Sequence, residues 1–323
     1  MSEPTPGSLT AATAAGPTIE TDSAASPVEP SPPDKPRGFL GDAWYDLRRK
    51  PLFWISVTFI AIFLLMAAFP QLFTSVDPQY GDLSRSRGEP SAEAWFGYDV
   101  QGRDVYARVI HGARASIVVA VLSTIGTILI GGTMGMIAAY CGGWVDSLLS
   151  RIAEVFFGLP FVLGAIVILS TFNGPGERRS PVEIVMLVIL SLVVLSWPVS
   201  MRLMRSAVLA TKEADYITAA RALGAGPARI ILKHLLPNSV APILVYATIL
   251  IGSFIGAEAT LSFLGVGLQS PVVSWGVMID EARQFIRVSP FLLLFPASFL
   301  VVAVLSFVTL GETVREALDP KLR

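Results

Sequence analysis

The sequence predicts an all-α membrane protein with six transmembrane helices. Hydrophobic residues make up 53% of the 323 residues and charged residues only 15%, and the mean hydropathy is +0.62. This composition is too apolar for a soluble globular domain. Six uncharged runs are each long enough for one bilayer crossing, which takes about 20 residues. They are residues 51–76, 115–145, 155–176, 184–201, 234–257 and 288–311.

The chain begins with a polar segment before the first of these runs. Residues 1–38 are rich in Pro, Ser, Thr, Ala and Glu and contain no apolar run, so we expect a disordered cytoplasmic tail. The segment lacks the basic start and hydrophobic stretch of a signal peptide. Arg48, Arg49 and Lys50 precede the first run and favour a cytoplasmic N-terminus. Residues 39–76 are therefore interpreted as an N-terminal extension that carries the first span.

The remaining chain divides at its polar segments. Residues 77–114 are polar, with nearly balanced charges, and predict an external loop domain. Near its end, Asp104, Arg108 and Arg114 are interpreted individually as charges that suit a helix dipole. Residues 115–315 form the predicted five-helix core, which includes a loop at 211–237, and residues 316–323 form the cytoplasmic C-terminus.

A seventh uncharged run, residues 259–279, is not interpreted as a span. Its glycines, Gln269 and Pro271 interrupt the apolar pattern. A seventh span would also place Arg315, Lys321 and Arg323 outside, against the positive-inside rule.

The segment at residues 213–237, which we call the coupling segment, is too polar to cross a membrane but lies between two spans. It reads EADYITAARALGAGPARIILKHLLP and predicts a helix, a sharp turn and a second helix. Gly224 and Gly226 can adopt the left-handed conformation that ends a helix, Pro227 suits the first position of the next, and Pro237 should stop that helix. The apolar positions are Tyr216, Ile217, Ala219, Ala220 and Leu223, then Ile230, Ile231, Leu235 and Leu236. Spacing alone is equally consistent with an amphipathic helix on the bilayer surface.

The coupling segment resembles the signature loop of binding-protein-dependent ABC importer permeases. Ala219, Ala220, Gly224, Leu236 and Pro237 occupy the signature positions, whereas Thr218 and His234 depart from the general consensus. The strings ADYITAARALGAG and RIILKHLLPN are similar to the peptide-permease branch. The resemblance implies a type I ABC importer permease fold, in which this loop is the coupling helix that docks into a groove on the ATPase subunit.

Four other motifs resemble the same family in the same order along residues 40–323. They are WYDLRRKPLFWISV with VDPQYGDL, FGYDVQGRDVYARVIHGARAS, EATLSFLGVGLQSPVVSWGVMIDEAR and GETVREALDPKLR. Together they resemble the C-type inner-membrane subunit of an oligopeptide or dipeptide importer. The resemblance implies a B-type permease subunit, two ATP-binding subunits, an external peptide-binding protein, a peptide substrate and membrane lipid as partners, and no nucleic acid.

Motifs for catalysis are absent from the sequence. No GxxxxGK[ST] loop occurs, so ATP and Mg²⁺ are expected on partner subunits and no cofactor on this chain. His111 and His234 are too far apart in sequence to suggest a metal site, and Cys141 is the single cysteine. We therefore expect a non-enzymatic subunit with both termini in the cytoplasm.

The candidate functional residues fall into two groups. The ATPase-coupling candidates are Glu213, Asp215, Tyr216, Ala219, Ala220, Arg221, Gly224, Pro227 and Arg229. The gate or external-loop candidates are Glu258, Trp275, Glu281 and Arg283. Glu258 has two interpretations: a structural one, in which it makes an interhelical hydrogen bond, and a functional one, in which it positions the gate.

Other residues of the spans have structural interpretations. Glu154 should pair with Arg151, and Arg202 and Arg205 should extend to the cytoplasmic interface. Gly126, Gly131, Gly132 and Gly135 permit close helix approach, as do Gly158 and Gly164, and Pro160 and Pro198 should kink their helices.

Three alternatives remain open at this point. A nickel-chelate or other small-solute ABC importer permease would share these motifs. An ion-coupled secondary transporter would need an ion site within the membrane and usually inverted repeats, neither of which is visible in the sequence. The third is a membrane scaffold that transports nothing.

Overall fold

The computed structural model describes residues 39–172 and 180–318, and this part of the chain is built from α-helices and connecting segments. The helices are α1 (Phe39–Leu47), α2 (Pro51–Ala68), α3 (Val105–Cys141), α4 (Gly143–Phe157), α5 (Phe161–Phe172), α6 (Pro181–Lys212), α7 (Asp215–Ala222), α8 (Pro227–Ile230), α9 (Leu236–Phe263), α10 (Trp275–Ala282) and α11 (Phe291–Leu318). A π-helical turn, Ile231–Leu235, joins α8 to α9, and short 3₁₀ turns lie at Pro70–Leu72, Leu83–Arg85 and Arg283–Phe285. The predicted disordered tail and the last five residues of the predicted C-terminus lie outside the described residues.

Six crossings account for the described bundle. Helices α2, α3, α6 and α11 and the continuous Pro227–Phe263 helix are each long and apolar enough to cross a membrane. Close contacts pair Gly126 with Val193 and Gly135 with Met204, so α3 and α6 run parallel. The chain must therefore return between them, and α4 and α5 together form that sixth crossing. The predicted all-helical fold is confirmed.

The helices define two ends of the bundle. The proximal end carries the coupling segment, together with the end of α3 and the start of α2, where Lys50 pairs with Glu316 of α11 at 2.7 Å. The distal end carries residues 77–104 and 264–285. Phe39 and Leu318, the first and last residues that the structure describes, therefore both lie at the proximal end.

Small residues allow α3 and α6 to cross closely at the centre of the bundle. A Cβ atom on Gly131 would lie 2.3 Å from the Trp197 carbonyl oxygen, and one on Gly135 would lie 2.3 Å from the Met201 carbonyl oxygen. Both distances are shorter than van der Waals contact, so only glycine permits this separation of the two backbones. The predicted role of these glycines in close helix approach is confirmed.

Several predicted span limits are wrong, because uncharged runs do not mark helix ends. Helix α2 ends at Ala68 rather than at residue 76. At this end the Arg114 guanidinium donates to the carbonyl oxygens of Ala67 and Ala68 at 2.8 and 3.1 Å. Helix α3 begins at Val105, ten residues before the predicted start, so the predicted boundary between the external domain and the core falls inside it.

The predicted third span, residues 155–176, is not one straight helix. Helices α4 and α5 meet at 88°. Pro160 lies in the break, where its missing N–H and its ring prevent a continuous helix. The predicted kink at Pro160 is therefore a complete break, whereas α6 continues through Pro198.

The α3–α6 crossing predicts different effects for two otherwise identical substitutions. Gly135→Ala should lower the free energy of unfolding by about 1–3 kcal/mol, because the new methyl group meets the Met201 backbone. Gly256→Ala, in α9 with open space around its Cβ position, should leave stability unchanged or raise it by up to about 1 kcal/mol. Thermal unfolding in detergent measures both, and equal midpoints for the two variants would contradict the packing described.

Candidate functional site

The coupling segment forms two short helices joined by a turn. Gly224 has a φ of +82°, and the N–H groups of Gly224 and Ala225 donate to the carbonyl oxygens of Arg221 and Ala220 at 2.9 and 3.0 Å. Pro227 occupies the first turn of α8. These features confirm the predicted turn. Gly226 has a φ of −70°, so the prediction that it also adopts a left-handed conformation is wrong.

The side chains predicted to contact an ATPase are accessible at the proximal end. All nine lie on α7, α8 or the adjoining turns, and only Ala220 among them is half-buried. The exposed ones are Glu213, Asp215, Tyr216, Ala219, Arg221, Gly224, Pro227 and Arg229. The segment therefore presents a continuous surface of small, polar and charged groups.

The helix predicted from the spacing of five apolar residues is confirmed as α7, although only Ile217 of the five is buried. Leu223 is 88% exposed at the turn. Helix α7 ends at Ala222, just before this residue. An apolar side chain this exposed belongs with the candidate contact residues, and nothing in the spacing could have identified it.

The second helix of the coupling segment continues into the membrane, so the predicted stop at Pro237 is wrong. Residues Pro227–Phe263 form one helix of 37 residues. A proline ring clashes with the carbonyl four residues earlier, which for Pro237 is Lys233. Lys233 lies in the π-helical turn, whose wider backbone accommodates the ring. The coupling segment and α9 therefore form one continuous helical element.

Apolar packing and two polar contacts fix the coupling segment to the bundle. Ile217, Ile230 and Leu235 are buried in one cluster with Met136 of α3 and Met204 of α6. At the end of α6, the Lys212 ammonium donates to the carbonyl oxygens of Ala139 and Tyr140 at 2.8 and 3.0 Å. These are terminal carbonyls of α3, which a cation stabilises.

A bidentate ion pair joins α4 to α6 near the same end. The Arg205 guanidinium donates to both Asp146 carboxylate oxygens at 2.5 and 2.6 Å. Arg205 therefore has a protein partner, which differs from the predicted extension to the membrane interface. Arg202 lies 4.1 Å from the ring centroid of Phe157.

Residues 77–104 at the distal end finish in a tight turn just before α3. Gly102 has a φ of +70°, and a Cβ there would lie 1.8 Å from the Asp82 carbonyl oxygen. Asp104 caps α3 by accepting from the Ala107 N–H at 2.8 Å. Hydrogen bonds from the Ser84 hydroxyl and N–H hold the pKa of the Asp82 carboxyl below its ordinary value.

An ion cluster of three buried residues and the half-buried Glu281 fastens residues 77–104 to α3 and α10. Asp99 accepts from Arg103 and Arg108 at 2.6 and 2.5 Å, and Glu281 accepts from the same two arginines at 3.0 and 2.7 Å. The Arg108 side chain is only 3% exposed. The dipole interpretation of Arg108 is therefore wrong, because its charge is neutralised by Asp99, nine residues earlier, and by Glu281, which is distant in sequence.

Glu258 is the centre of a second buried polar cluster at the distal end. Its carboxyl oxygens accept hydrogen bonds from the hydroxyls of Ser116, Ser262 and Ser274 at 3.0, 2.8 and 2.9 Å. Each serine oxygen in turn accepts a backbone N–H, from Trp275, Leu268 and Val277 respectively. The predicted interhelical hydrogen bond of Glu258 is confirmed.

The remaining gate candidates divide into a buried and an exposed member. Trp275 is fully buried and donates from Nε1 to the Val109 carbonyl oxygen of α3 at 2.9 Å. The Arg283 side chain is 53% exposed and pairs with Asp280 on its own turn. The structure thus brings Glu258, Trp275 and Glu281 together at the α3–α10 contact, and Arg283 faces outward.

The other predicted ionisable residues have local roles. Glu154 pairs with Arg151 at 2.7 Å, as predicted. Glu183 forms a capping box with Ser180 at the start of α6. Within residues 39–172 and 180–318, no three His, Cys, Asp or Glu side chains lie close enough to hold a metal ion.

The buried ion cluster predicts unequal effects of two Arg→Gln substitutions. Arg108→Gln should lower the free energy of unfolding by about 2–4 kcal/mol, because it leaves Asp99 and Glu281 with a single cation. Arg283→Gln removes an exposed pair and should cost less than about 1 kcal/mol. Thermal unfolding in detergent tests the pair of variants, and an Arg283→Gln effect as large as that of Arg108→Gln would be inconsistent with this assignment.

Two family models match the chain, and together they span both the extension and the core. Residues 131–323 match the model described as binding-protein-dependent transport system inner membrane component. Residues 38–90 match the model described as the N-terminal TM domain of oligopeptide transport permease C.

Named relatives are similar over nearly the whole chain. The dipeptide transport system permease protein DppC of Alkalihalophilus pseudofirmus is 38% identical over 87% of this chain and 90% of its own. The glutathione transport system permease protein GsiD of Pectobacterium atrosepticum is 34% identical over 87% of this chain and 90% of its own.

A solved structure has the same core fold. A chain of the MetNI methionine ABC transporter, in an inward-facing conformation, aligns with a TM-score of 0.52 and 20% identity. The alignment covers 66% of this chain and 96% of that one. This similarity extends to the fold alone.

Proposed function

The chain belongs to the binding-protein-dependent transport permeases, in the branch of the oligopeptide C-type subunits, and from that premise we propose that it imports peptides. Family members are non-catalytic inner-membrane subunits of ABC transporters, with ATP hydrolysis on partner chains. We propose dipeptides or oligopeptides as the cargo, because relatives over 87% of the chain are named for dipeptide and glutathione transport.

The proposed assembly contains three further kinds of protein component. A B-type permease subunit forms the translocation path with this chain, two ATPase subunits supply the energy, and an external binding protein delivers the peptide. The coupling segment then faces the cytoplasm, where ATP is available. Because Phe39 and Leu318 lie at the same end of the bundle, the N- and C-terminal regions of the chain are cytoplasmic as well.

The continuous Pro227–Phe263 helix is the observation that supports this mechanism most directly. When ATP binding closes the ATPase dimer, a coupling segment held in its groove moves with the ATPase. Because α8 continues into α9, that movement tilts α9 as a rigid body. Ala219, Ala220 and Gly224 contribute by being small, and the exposed Leu223 supplies apolar contact in the groove.

At the distal end the same tilt acts on the proposed gate. Glu258 of α9 is bonded to Ser274 just before α10, and Trp275 and Glu281 bond to α3. Because the segment 264–285 is bonded to both helices, movement of α9 relative to α3 displaces this segment or stretches its hydrogen bonds. Arg283, which faces outward, is available to the external binding protein.

The turn at Gly224 separates the effect of side-chain bulk from the effect of backbone strain. Gly224→Glu should abolish ATP-driven peptide uptake while the protein still folds, because nothing lies within 4 Å of its Cβ position in the isolated chain and a single residue at a positive φ costs only about 1–2 kcal/mol. Gly224→Asn should retain uptake, because asparagine is small and tolerates a positive φ. The measurement is uptake of a labelled dipeptide by proteoliposomes that contain the whole transporter.

Copurification of the ATPase subunits serves as the control for assembly. Normal uptake by Gly224→Glu would disprove docking through this turn. Equal loss in both variants would mean that the docked turn excludes even a small side chain, against the tolerance expected for asparagine.

A further inference from the structure

A recess of about 450 Å³ opens between α5, α6 and α9 within the membrane-spanning part of the bundle. Its apolar wall comes from Phe161 and Val162 of α5 and from Leu250 of α9. Four hydroxyl side chains also line it: Ser196 of α6 and Tyr246, Ser253 and Thr260 of α9. A surface that meets only lipid gains nothing from hydroxyl groups, so this lining requires another explanation.

The three hydroxyls of α9 share one face of the helix. Tyr246, Ser253 and Thr260 recur every seven residues, which is two helical turns. At a rise of about 1.5 Å per residue, the row is about 21 Å long, or two-thirds of the hydrocarbon thickness. It runs from the middle of the bundle to the distal end. The row is therefore long enough to accompany a solute through most of the membrane.

The hydroxyls differ in the hydrogen bonds that they already make. Ser253 and Thr260 donate to the carbonyl oxygens of Ile249 and Gly256, at 3.1 and 2.8 Å, and keep their acceptor positions free. Tyr246 and Ser196 have no hydrogen-bond partner among residues 39–172 and 180–318. Ser196 is 9% exposed, and what remains exposed faces the recess. A buried hydroxyl without a partner is costly unless something else binds it.

A neighbouring cavity provides the contrast. A groove of about 510 Å³ between α9 and α11 is lined on the α11 side by Leu300, Val301, Val304 and Leu305. This wall is wholly apolar and matches a lipid chain or another apolar helix. Thr260 borders both cavities, and its hydroxyl already bonds the Gly256 carbonyl oxygen. Of these two cavities, only the recess toward α5 and α6 is lined by hydroxyls without a hydrogen-bond partner among the described residues.

We propose that this recess lines the translocation path and hydrogen-bonds the main-chain amide groups of the peptide. The inference rests on the proposed function and names the contact residues for it. Ser196 and Tyr246 donate to peptide carbonyls or accept from peptide N–H groups, and Ser253 and Thr260 accept from N–H groups. The described lining residues carry no charge, so they neither select charged peptide side chains nor trap a charged terminus. The recess therefore favours passage of peptides with different sequences.

Accessibility to a water-soluble thiol reagent tests whether the recess is part of an aqueous path. The whole transporter in proteoliposomes carries Ser253→Cys in a Cys141→Ser background, with Leu305→Cys of the apolar groove as the matched control. A charged methanethiosulfonate should modify the Ser253→Cys variant at least about tenfold faster than the Leu305→Cys variant. Alanyl-alanine with binding protein and ATP should slow the reaction. Equal, slow rates at the two positions would show that lipid covers the recess and would overturn the proposal.

Removal of a single hydroxyl tests the contact itself. Tyr246→Phe should lower the rate of alanyl-alanine uptake at subsaturating peptide by about two- to tenfold, the factor for one lost neutral hydrogen bond. Ser298→Ala, which removes an exposed hydroxyl on α11 that bonds its own helix, should leave uptake unchanged. Wild-type uptake by Tyr246→Phe would contradict the contact.

The two levels of the proposal fail differently. If the unmodified transporter takes up peptide and the recess variants react and transport like their controls, the recess assignment alone is wrong. If the unmodified transporter takes up neither alanyl-alanine nor glutathione while its ATPase remains coupled, peptide import itself is wrong, and the recess proposal fails with it.

Discussion

The unbroken helix from Pro227 to Phe263 is the constraint on which the rest of the structure depends. Backbone groups inside a bilayer have no water to bond, so a helix there keeps its internal hydrogen bonds and behaves as a stiff rod. One end of this rod is the exposed coupling segment, and the other end carries Glu258. Even Pro237 does not interrupt it, because the π-helical turn at Ile231–Leu235 makes room for the proline ring. Any force on the proximal end is therefore transmitted over the thickness of the membrane.

Buried polar groups hold the surrounding elements in register at both ends. At the proximal end, Lys212 and the Asp146–Arg205 pair tie α3, α4 and α6 together. At the distal end, the cluster of Asp99, Arg103, Arg108 and Glu281 and the three serines around Glu258 do the same. Such groups are expensive to bury and contribute little net stability when they replace apolar packing. Their value here is that they permit only a few arrangements, which suits a protein that changes between defined states.

Composition and charge were enough to predict the membrane fold and the number of spans, because the bilayer imposes a length and a polarity on each crossing. The glycines of α3 were also interpreted correctly, since small residues in a span have few other uses. The burial of Arg108 and the exposure of Leu223 could not be predicted. Each depends on a partner distant in sequence or on the position where a helix ends. The recess could not be predicted for the same reason. Its hydroxyls are spaced regularly along α9, but only the folded structure shows that they share a cavity with Ser196 of α6.

The most direct test of rigid coupling is a distance measured along the Pro227–Phe263 helix during the transport cycle. Spin labels at Arg229→Cys and Phe263→Cys, in a Cys141→Ser background, lie 34 residues apart, or about 51 Å along an α-helix. Double electron–electron resonance on the whole transporter should give the same narrow distance without nucleotide and with ATP trapped. A shorter or broadened distance in one state would show that the helix bends at the π-helical turn and does not transmit motion as a single body.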